Sequence, residues 1–207
     1  MNTPDNTGQT PLFAAAGSDA VDAIKLLVWH GVPVMTTDTH GNTPLHTAAE
    51  WGSTAAVRVL LDLHADINAE NDAGETPFFA AAGRPRSNAD TFTVLLQHGA
   101  DVNGVNADGE TALHSIAALD DETQWEAATA IVQFLLSHRA RVTLKDKNGN
   151  TPLHSACRGG NVAVVKMLLV GGADGNLKNN GGKIPLAIAA EHEYDDVVDV
   201  LVKARTR

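Results

Sequence analysis

The segment that decides the fold is Asp-Lys-Asn-Gly-Asn-Thr-Pro-Leu-His-Ser-Ala-Cys-Arg-Gly-Gly-Asn, residues 146–161 of the 207-residue chain. Its core, Gly-x-Thr-Pro-Leu-His, occurs six times in full or degraded form. The threonine position falls at Thr10, Thr43, Thr76, Thr111, Thr151 and, with the threonine replaced, Ile184. The successive spacings are 33, 33, 35, 40 and 33 residues. Self-similarity at such a period indicates an array of small repeats rather than one large core.

The residues after Thr43 show how one repeat would fold. Thr43 is placed to cap a helix, and Pro44 fits the first turn, where no backbone N–H is needed. Ala48 and Ala49 keep this inner helix slim enough to pack closely on its neighbours, and Gly52 ends it. An outer helix follows, with apolar residues at helical spacing, namely Val57, Leu60 and Leu61. The polar stretch at 66–74 then predicts a β-hairpin that reaches the next repeat.

This pattern resembles the ankyrin repeat family over essentially the whole chain. The resemblance implies an all-α repeat solenoid with β-hairpin tips, elongated and with a concave groove. We expect one domain over residues 1–207, with six repeats at about 1–37, 38–70, 71–105, 106–145, 146–178 and 179–207. The longer spacings place insertions near 84–88 and 119–126, both between an inner and an outer helix.

Composition and charge restrict the classes of function. With 15 Lys and Arg against 25 Asp and Glu, the formal charge is −10, which argues against nucleic-acid binding. No apolar run is long enough for a membrane span, and no apolar secretion segment stands at the N-terminus. Cys157 is the only cysteine, so no intrachain disulfide can form, and we expect it to be a buried small hydrophobe. These features predict a monomer inside the cell, in the cytoplasm or nucleus.

The histidines do not predict catalytic or metal chemistry. His46, His114 and His154 share one motif position on successive inner helices. Such helices lie roughly 8–10 Å apart, too far for the three rings to meet at one ion. The resemblance to ankyrin repeats implies that these histidines form hydrogen bonds within and between repeats. We therefore expect no catalytic residue, no metal and no cofactor.

The resemblance implies that a protein or peptide partner binds at the hairpin tips and the inner-helix ends. The candidate residues are His40, Asn42, Glu50, Trp51, Glu75, Arg84, Glu110, Leu119, Lys147, Asn148, Arg158, Glu191 and His192. Trp51 is the predicted anchor, since tryptophan combines a large apolar area with a hydrogen-bond donor. Packing of Trp51 against a neighbouring repeat is the alternative. The other two tryptophans have different expected roles: Trp29 covers the first interface of the array, and Trp125 anchors the long insertion.

Charge divides the candidate surface along the chain. The tips of repeats two to four are mainly acidic, whereas the last two repeats carry Lys145, Lys147, Arg158 and Lys183. A partner with basic residues at one end and acidic residues at the other would suit this arrangement. Solvated charge without a partner is the competing interpretation.

The sequence thus favours a non-catalytic protein–protein interaction module. Two alternatives stay open. Because neither end is strongly capped by polar residues, the repeats could be the targeting or regulatory domain of a larger enzyme or signalling protein. Alternatively, the two insertions could form a pocket that binds or converts a small molecule, which a deep apolar cavity beside Arg84, Trp125 and Glu126 would support.

Overall fold

The repeated sequence folds into repeated pairs of helices. The structure, a computed structural model, describes residues 3–83 and 89–205. Arg84 and the predicted insertion near 84–88 lie outside these residues. The described residues form six inner and six outer α-helices, in chain order α1 (Pro11–Gly17), α2 (Val21–Trp29), α3 (Pro44–Glu50), α4 (Thr54–Asp62), α5 (Pro77–Gly83), α6 (Ala89–Gln97), α7 (Ala112–Ala117), α8 (Trp125–Ser137), α9 (Pro152–Gly159), α10 (Val162–Val170), α11 (Pro185–Glu191) and α12 (Asp195–Arg205). The predicted all-α repeat fold is confirmed.

The inner helices begin where the motif predicts. Thr43 has extended backbone angles and precedes Pro44, the first residue of α3. Its side chain and that of His46 satisfy each other's backbone N–H groups, which is the reciprocal arrangement of a capping box. The same arrangement starts α7 at Thr111 and α9 at Thr151. Threonine followed by proline or alanine therefore fixes the start of each of these helices.

The chain divides into two compact units, of which the first is Met1–Ala107. In this unit the inner helices α1, α3 and α5 pack side by side, and the outer helices α2, α4 and α6 form a second layer. Leu45, Ala48 and Leu60 are buried between the layers. Phe78 of α5 meets Phe92 of α6 edge to face, with ring centroids 5.2 Å apart. Small residues such as alanine and large residues such as leucine and phenylalanine together fill the core between the two helix layers.

The second unit, Asp108–Arg207, repeats the arrangement with inner helices α7, α9 and α11 and outer helices α8, α10 and α12. Cys157 is fully buried in α9, and burial raises the pKa of its thiol to about 12. The prediction that Cys157 is a buried small hydrophobe is confirmed. No helix in residues 3–83 and 89–205 is both long and apolar enough to cross a membrane.

Tight turns form the tips between repeats. At the second tip, residues 38–42, the Asp38 N–H donates to the Asn42 carbonyl at 2.9 Å. The Gly41 N–H donates to the Asp38 carbonyl at 3.1 Å. One backbone hydrogen bond links each tip to the next within a unit; examples are Asp72 N–H to the His40 carbonyl at 3.0 Å and Asn180 N–H to the Asn148 carbonyl at 2.9 Å. The tips are therefore held in register by the main chain.

The tryptophans outside the inner helices have different environments. In the second unit, the indole N–H of Trp125 donates to the Leu119 carbonyl at 3.2 Å, a hydrogen bond within the insertion itself. Asp121 caps the short 3₁₀ turn Glu122–Gln124 within that insertion. The expectation for Trp29 was wrong. The residue is 85% exposed at the end of α2, so it covers little of any interface.

We predict that Asn161→Ala lowers the free energy of unfolding by about 1–2 kcal/mol. The Asn161 side-chain oxygen accepts from the Ala163 and Val164 N–H groups at the start of α10. Its amide nitrogen donates to the Trp125 carbonyl of α8 at 3.3 Å. Denaturant unfolding would measure the loss. Asn161→Ser is the control, since serine keeps the cap acceptor, and an equal loss in both variants would contradict the assigned role of the cap.

Candidate functional site

The motif histidines form part of the framework of the fold. His46 Nδ1 lies 3.1 Å from the Thr43 backbone nitrogen and 2.9 Å from Thr43 Oγ1. Its Nε2 lies 2.9 Å from the Glu75 carbonyl oxygen. Because that carbonyl can only accept, Nε2 carries the proton and Nδ1 is the acceptor. His46 is therefore a neutral link between one repeat and the next hairpin.

His114 and His154 make the same contacts in the second unit. Their Nε2 atoms donate to the carbonyls of Asn150 and Lys183, each at 3.2 Å. Burial lowers the pKa of all three motif histidines, against the opposing effect of the carbonyl hydrogen bonds. The expected hydrogen bonds within and between repeats are confirmed. The described residues contain no group of three His, Cys, Asp or Glu side chains that could hold a metal ion.

Trp51 stands at the C-terminal end of α3 and is 44% exposed. One edge of its ring packs near the preceding repeat, since a Cβ at Gly17 would lie 3.6 Å from Cδ1 of Trp51. The packing considered for this residue is thus present, and its binding role stays a prediction.

The tip residues of the first unit form a connected polar network. Asn71 Nδ2 donates to Asn42 Oδ1 at 2.9 Å and to Glu75 Oε2 at 3.0 Å. Asp38 accepts from the backbone N–H groups of His40 and Asn42, each at 2.9 Å. Burial alone would raise the pKa of Asp38, but these and two side-chain hydrogen bonds lower it below its ordinary value. Asn42 and Glu75 consequently have a structural role in addition to the predicted binding role, and His40 stays exposed.

The candidates in the second unit are more open to solvent. Lys147 and Asn148 are exposed on the fifth tip, and Arg158 is exposed at the end of α9. Glu191 at the end of α11 pairs with Lys183 Nζ at 2.7 Å, and both side chains are about half exposed. The His192 ring stacks on Tyr194, with ring centroids 5.8 Å apart and planes inclined by 11°. The candidates of this unit therefore include several cations together with the His192–Tyr194 stack.

The remaining candidates are placed as follows. Glu50, Glu110 and Leu119 are half-buried, and Arg84 lies outside the described residues. The structure brings His40, Asn42, Glu50, Trp51 and Glu75 into the first unit and Glu110, Leu119, Lys147, Asn148, Arg158, Glu191 and His192 into the second.

Sequence reasoning missed Asp19, Asn71 and Lys178. Asp19 Oδ1 accepts from the Ala56 N–H at 2.6 Å and so caps the start of α4 from the preceding repeat. No local pattern signals a cap supplied from 37 residues away. Lys178 had a signal, because it follows Lys145 by 33 residues, the period of the repeat.

A shallow depression lies beside the insertion in the second unit. Trp125, Glu126 and Thr129 line one side, and Asn161, Val162 and Ala163 line the other, around a volume of about 360 Å³. Its lining is almost entirely apolar, but it is wide open to solvent. A ligand there would keep much of its surface in water, whereas small-molecule sites usually bury most of the ligand.

Comparison with known proteins gives consistent matches. A profile described as ankyrin repeats (3 copies) matches residues 1–71 and 123–207, and a single ankyrin repeat profile matches 73–107. The transient receptor potential cation channel subfamily A member 1 homolog of Caenorhabditis elegans is 40% identical over 99 residues, 47% of this chain and 8% of that protein. SH3 and multiple ankyrin repeat domains protein 2 of Homo sapiens is 32% identical over 121 residues, 58% of this chain and 6% of that protein. The chain thus spans only a small part of these relatives.

Among solved structures, the ankyrin repeat domain of Bcl-3 aligns with a TM-score of 0.74 and 31% sequence identity. The alignment covers 97% of this chain and 85% of the Bcl-3 domain. The profile matches, the aligned structure and the repeated capping boxes agree with one another. The chain belongs to the ankyrin repeat family.

Proposed function

We propose that the chain is a non-catalytic module that binds a protein or peptide partner through the tips and inner-helix ends of its repeats. Ankyrin repeats are generally protein–protein interaction modules without enzymatic activity. The observation that carries the proposal for this chain is Trp51, a fixed and partly exposed tryptophan at an inner-helix end.

The physical case for Trp51 rests on what its ring would gain on binding. A partner that covers the exposed part of the ring removes apolar surface from water. One edge of the ring lies near Gly17, which limits the side-chain freedom that binding would remove. Tryptophan in such a position is enriched among the residues that dominate binding energy.

We predict that Trp51→Ala weakens partner binding by at least about tenfold, the usual range for a central tryptophan anchor. The measurement is affinity capture from the cells that express the chain, followed by titration of the retained protein. Trp29→Ala is the matched control, because it removes a more exposed tryptophan from an outer helix. Thermal unfolding of both variants checks that the fold is kept. Equal retention by both variants, or an equal loss, would contradict an anchor at Trp51.

The module is proposed to act as a monomer, without cofactor or metal, in the cytoplasm or nucleus. The motif histidines support this proposal because their ring nitrogens already bond to protein atoms. Burial of the Cys157 thiol, with its raised pKa, makes a reactive cysteine a poor alternative.

A second candidate function is the targeting or regulatory domain of a larger enzyme or signalling protein. It is compatible with the first, because the repeats would bind a partner in either case. The full-length coding sequence tests it directly. The pocket proposed for small molecules has less support, since the depression beside Trp125 is open and Arg84 lies outside the described residues.

A further inference from the structure

We propose that the second unit binds an acidic, extended peptide through a basic row formed by Lys145, Lys147, Arg158, Lys178 and Lys183. The inference rests on the proposed function and specifies the chemistry of the partner segment that this unit takes.

Side-chain alternation places the lysines on one side of the extended segments. Leu144 and Asp146 are half-buried and buried, whereas Lys145 and Lys147 between and after them are exposed. The next repeat alternates in the same way, with Lys178 exposed between Leu177 and Asn179. Successive side chains of extended backbone point to opposite sides. Lys145 and Lys178 therefore point to solvent, and Lys147 is exposed at the start of the adjoining turn.

The repeat register aligns Lys145 with Lys178. The two residues are 33 positions apart, and Lys145 Nζ lies 3.4 Å from the Lys178 carbonyl oxygen. The Lys145 side chain thus extends along the row from one repeat to the next. Neighbouring repeats stack at roughly 10 Å, which is about the distance spanned by three residues of an extended peptide. Carboxylates at every third residue of a bound peptide would match this spacing.

Most of the basic row is available to an acidic partner. Across residues 3–83 and 89–205, Lys147, Arg158 and Lys178 form no ion pair. Lys183 pairs with Glu191, but both side chains are half exposed, and such pairs exchange readily. Asp146, the carboxylate nearest in sequence, is buried and accepts from the Asn150 backbone and side-chain nitrogens at 2.7 and 3.0 Å. Its oxygens face the turn and do not pair with the row.

The same repeat positions carry the opposite charge in the first unit. Glu70, Asp72, Glu50 and Glu75 there correspond to Lys145, Lys147, Arg158 and Lys183. Residues 1–107 contain 4 Lys and Arg against 12 Asp and Glu, a net charge of −8, and residues 108–207 contain 11 against 13, a net charge of −2. An acidic segment would be repelled by the first unit and attracted by the basic row. Charge therefore selects both the unit and the kind of peptide.

The test uses a defined peptide and the whole chain. The probe is a fluorescein-labelled peptide with Glu at every third residue, and its binding is followed by fluorescence anisotropy at low and high salt. We expect binding that weakens as salt rises, together with no binding of the matched peptide that has Gln in place of Glu. Equal binding of the Gln peptide would overturn the proposal, as would tighter binding of a single-stranded oligonucleotide than of the Glu peptide.

Two charge-matched variants locate the site. Lys145→Glu with Lys178→Glu should weaken binding of the Glu peptide by about tenfold, because two attractions become repulsions. Lys166→Glu with Lys203→Glu changes the net charge equally on the outer helices α10 and α12 and should have little effect. An equal loss of affinity for the Glu peptide in the two variants would show that the basic row is not the binding site. Capture of a partner that is sensitive to Trp51→Ala but indifferent to Lys145→Glu with Lys178→Glu would reject this inference and leave the proposed function standing.

Discussion

Lowering the pH from 7.5 to 5.5 should decrease the free energy of unfolding by up to about 4 kcal/mol, through His46, His114 and His154. Burial lowers the pKa of each ring in the folded state. The backbone N–H of each capping threonine donates to Nδ1 of the histidine. Protonation of Nδ1 would break this hydrogen bond, so it also lowers the pKa of the ring. The unfolded chain therefore binds more protons than the folded chain as the pH falls.

The sign of this effect fixes its pH window. Stability from a depressed histidine pKa is present above the unfolded value of about 6.5 and is lost as the pH falls below that value. Each ring that stays neutral to pH 5.5 contributes about 1.4 kcal/mol to the loss. Carboxylates with lowered pKa values, such as Asp38, lose their contribution only at lower pH, near the unfolded value of about 4. The histidine effect is thus separated from ordinary acid unfolding.

Denaturant unfolding at a series of pH values measures the effect. The matched variant is His154→Phe, which copies Phe79, the buried residue at this position in the third repeat. We expect its stability to depend on pH about one third less steeply, whatever its absolute stability. An unchanged slope between pH 7.5 and 5.5 would show that these rings do not control the acid sensitivity.

Gly160→Ala should lower the free energy of unfolding by about 3 kcal/mol, from backbone strain and overpacking together. Gly160 follows α9 with φ of +76°, a left-handed conformation that costs any residue with a Cβ about 1–2 kcal/mol. A Cβ there would also lie 2.7 Å from Cζ of Tyr194 and 2.9 Å from both Cε atoms. The tyrosine ring of the last repeat thus packs directly on the glycine backbone of the repeat before it.

Gly172→Ala separates the two contributions. Gly172 has φ of +90°, but nothing lies within 4 Å of its Cβ position, so we expect a loss of about 1 kcal/mol from strain alone. The double variant Gly160→Ala with Tyr194→Ala should recover the overpacking part, as a double-mutant cycle would show. Equal losses for Gly160→Ala and Gly172→Ala would mean that the contact with Tyr194 contributes nothing.

The fold could be predicted from the sequence because its signals are local. Thr43 followed by Pro44 specifies a helix start through a cap and a fixed φ angle, and both act within one turn. Repetition of that signal at a period near 33 residues then gives the number of helix pairs and the positions of the histidines. The insertion near 119–126 could also be located, because it lengthens one period.

The sequence alone determined the repeat architecture, the helix starts, the burial of Cys157 and the structural role of the motif histidines. Only the tertiary structure decided which side chains stay open to a partner. Trp29 and Trp51 both stand at helix ends, yet one is almost fully exposed and the other packs near Gly17. Asn42 has the sequence of a free tip residue, but its side-chain oxygen accepts from Asn71 of the next repeat. The physical reason is that exposure depends on neighbours about one repeat away, whose side chains reach back across the interface, and no local pattern records those contacts.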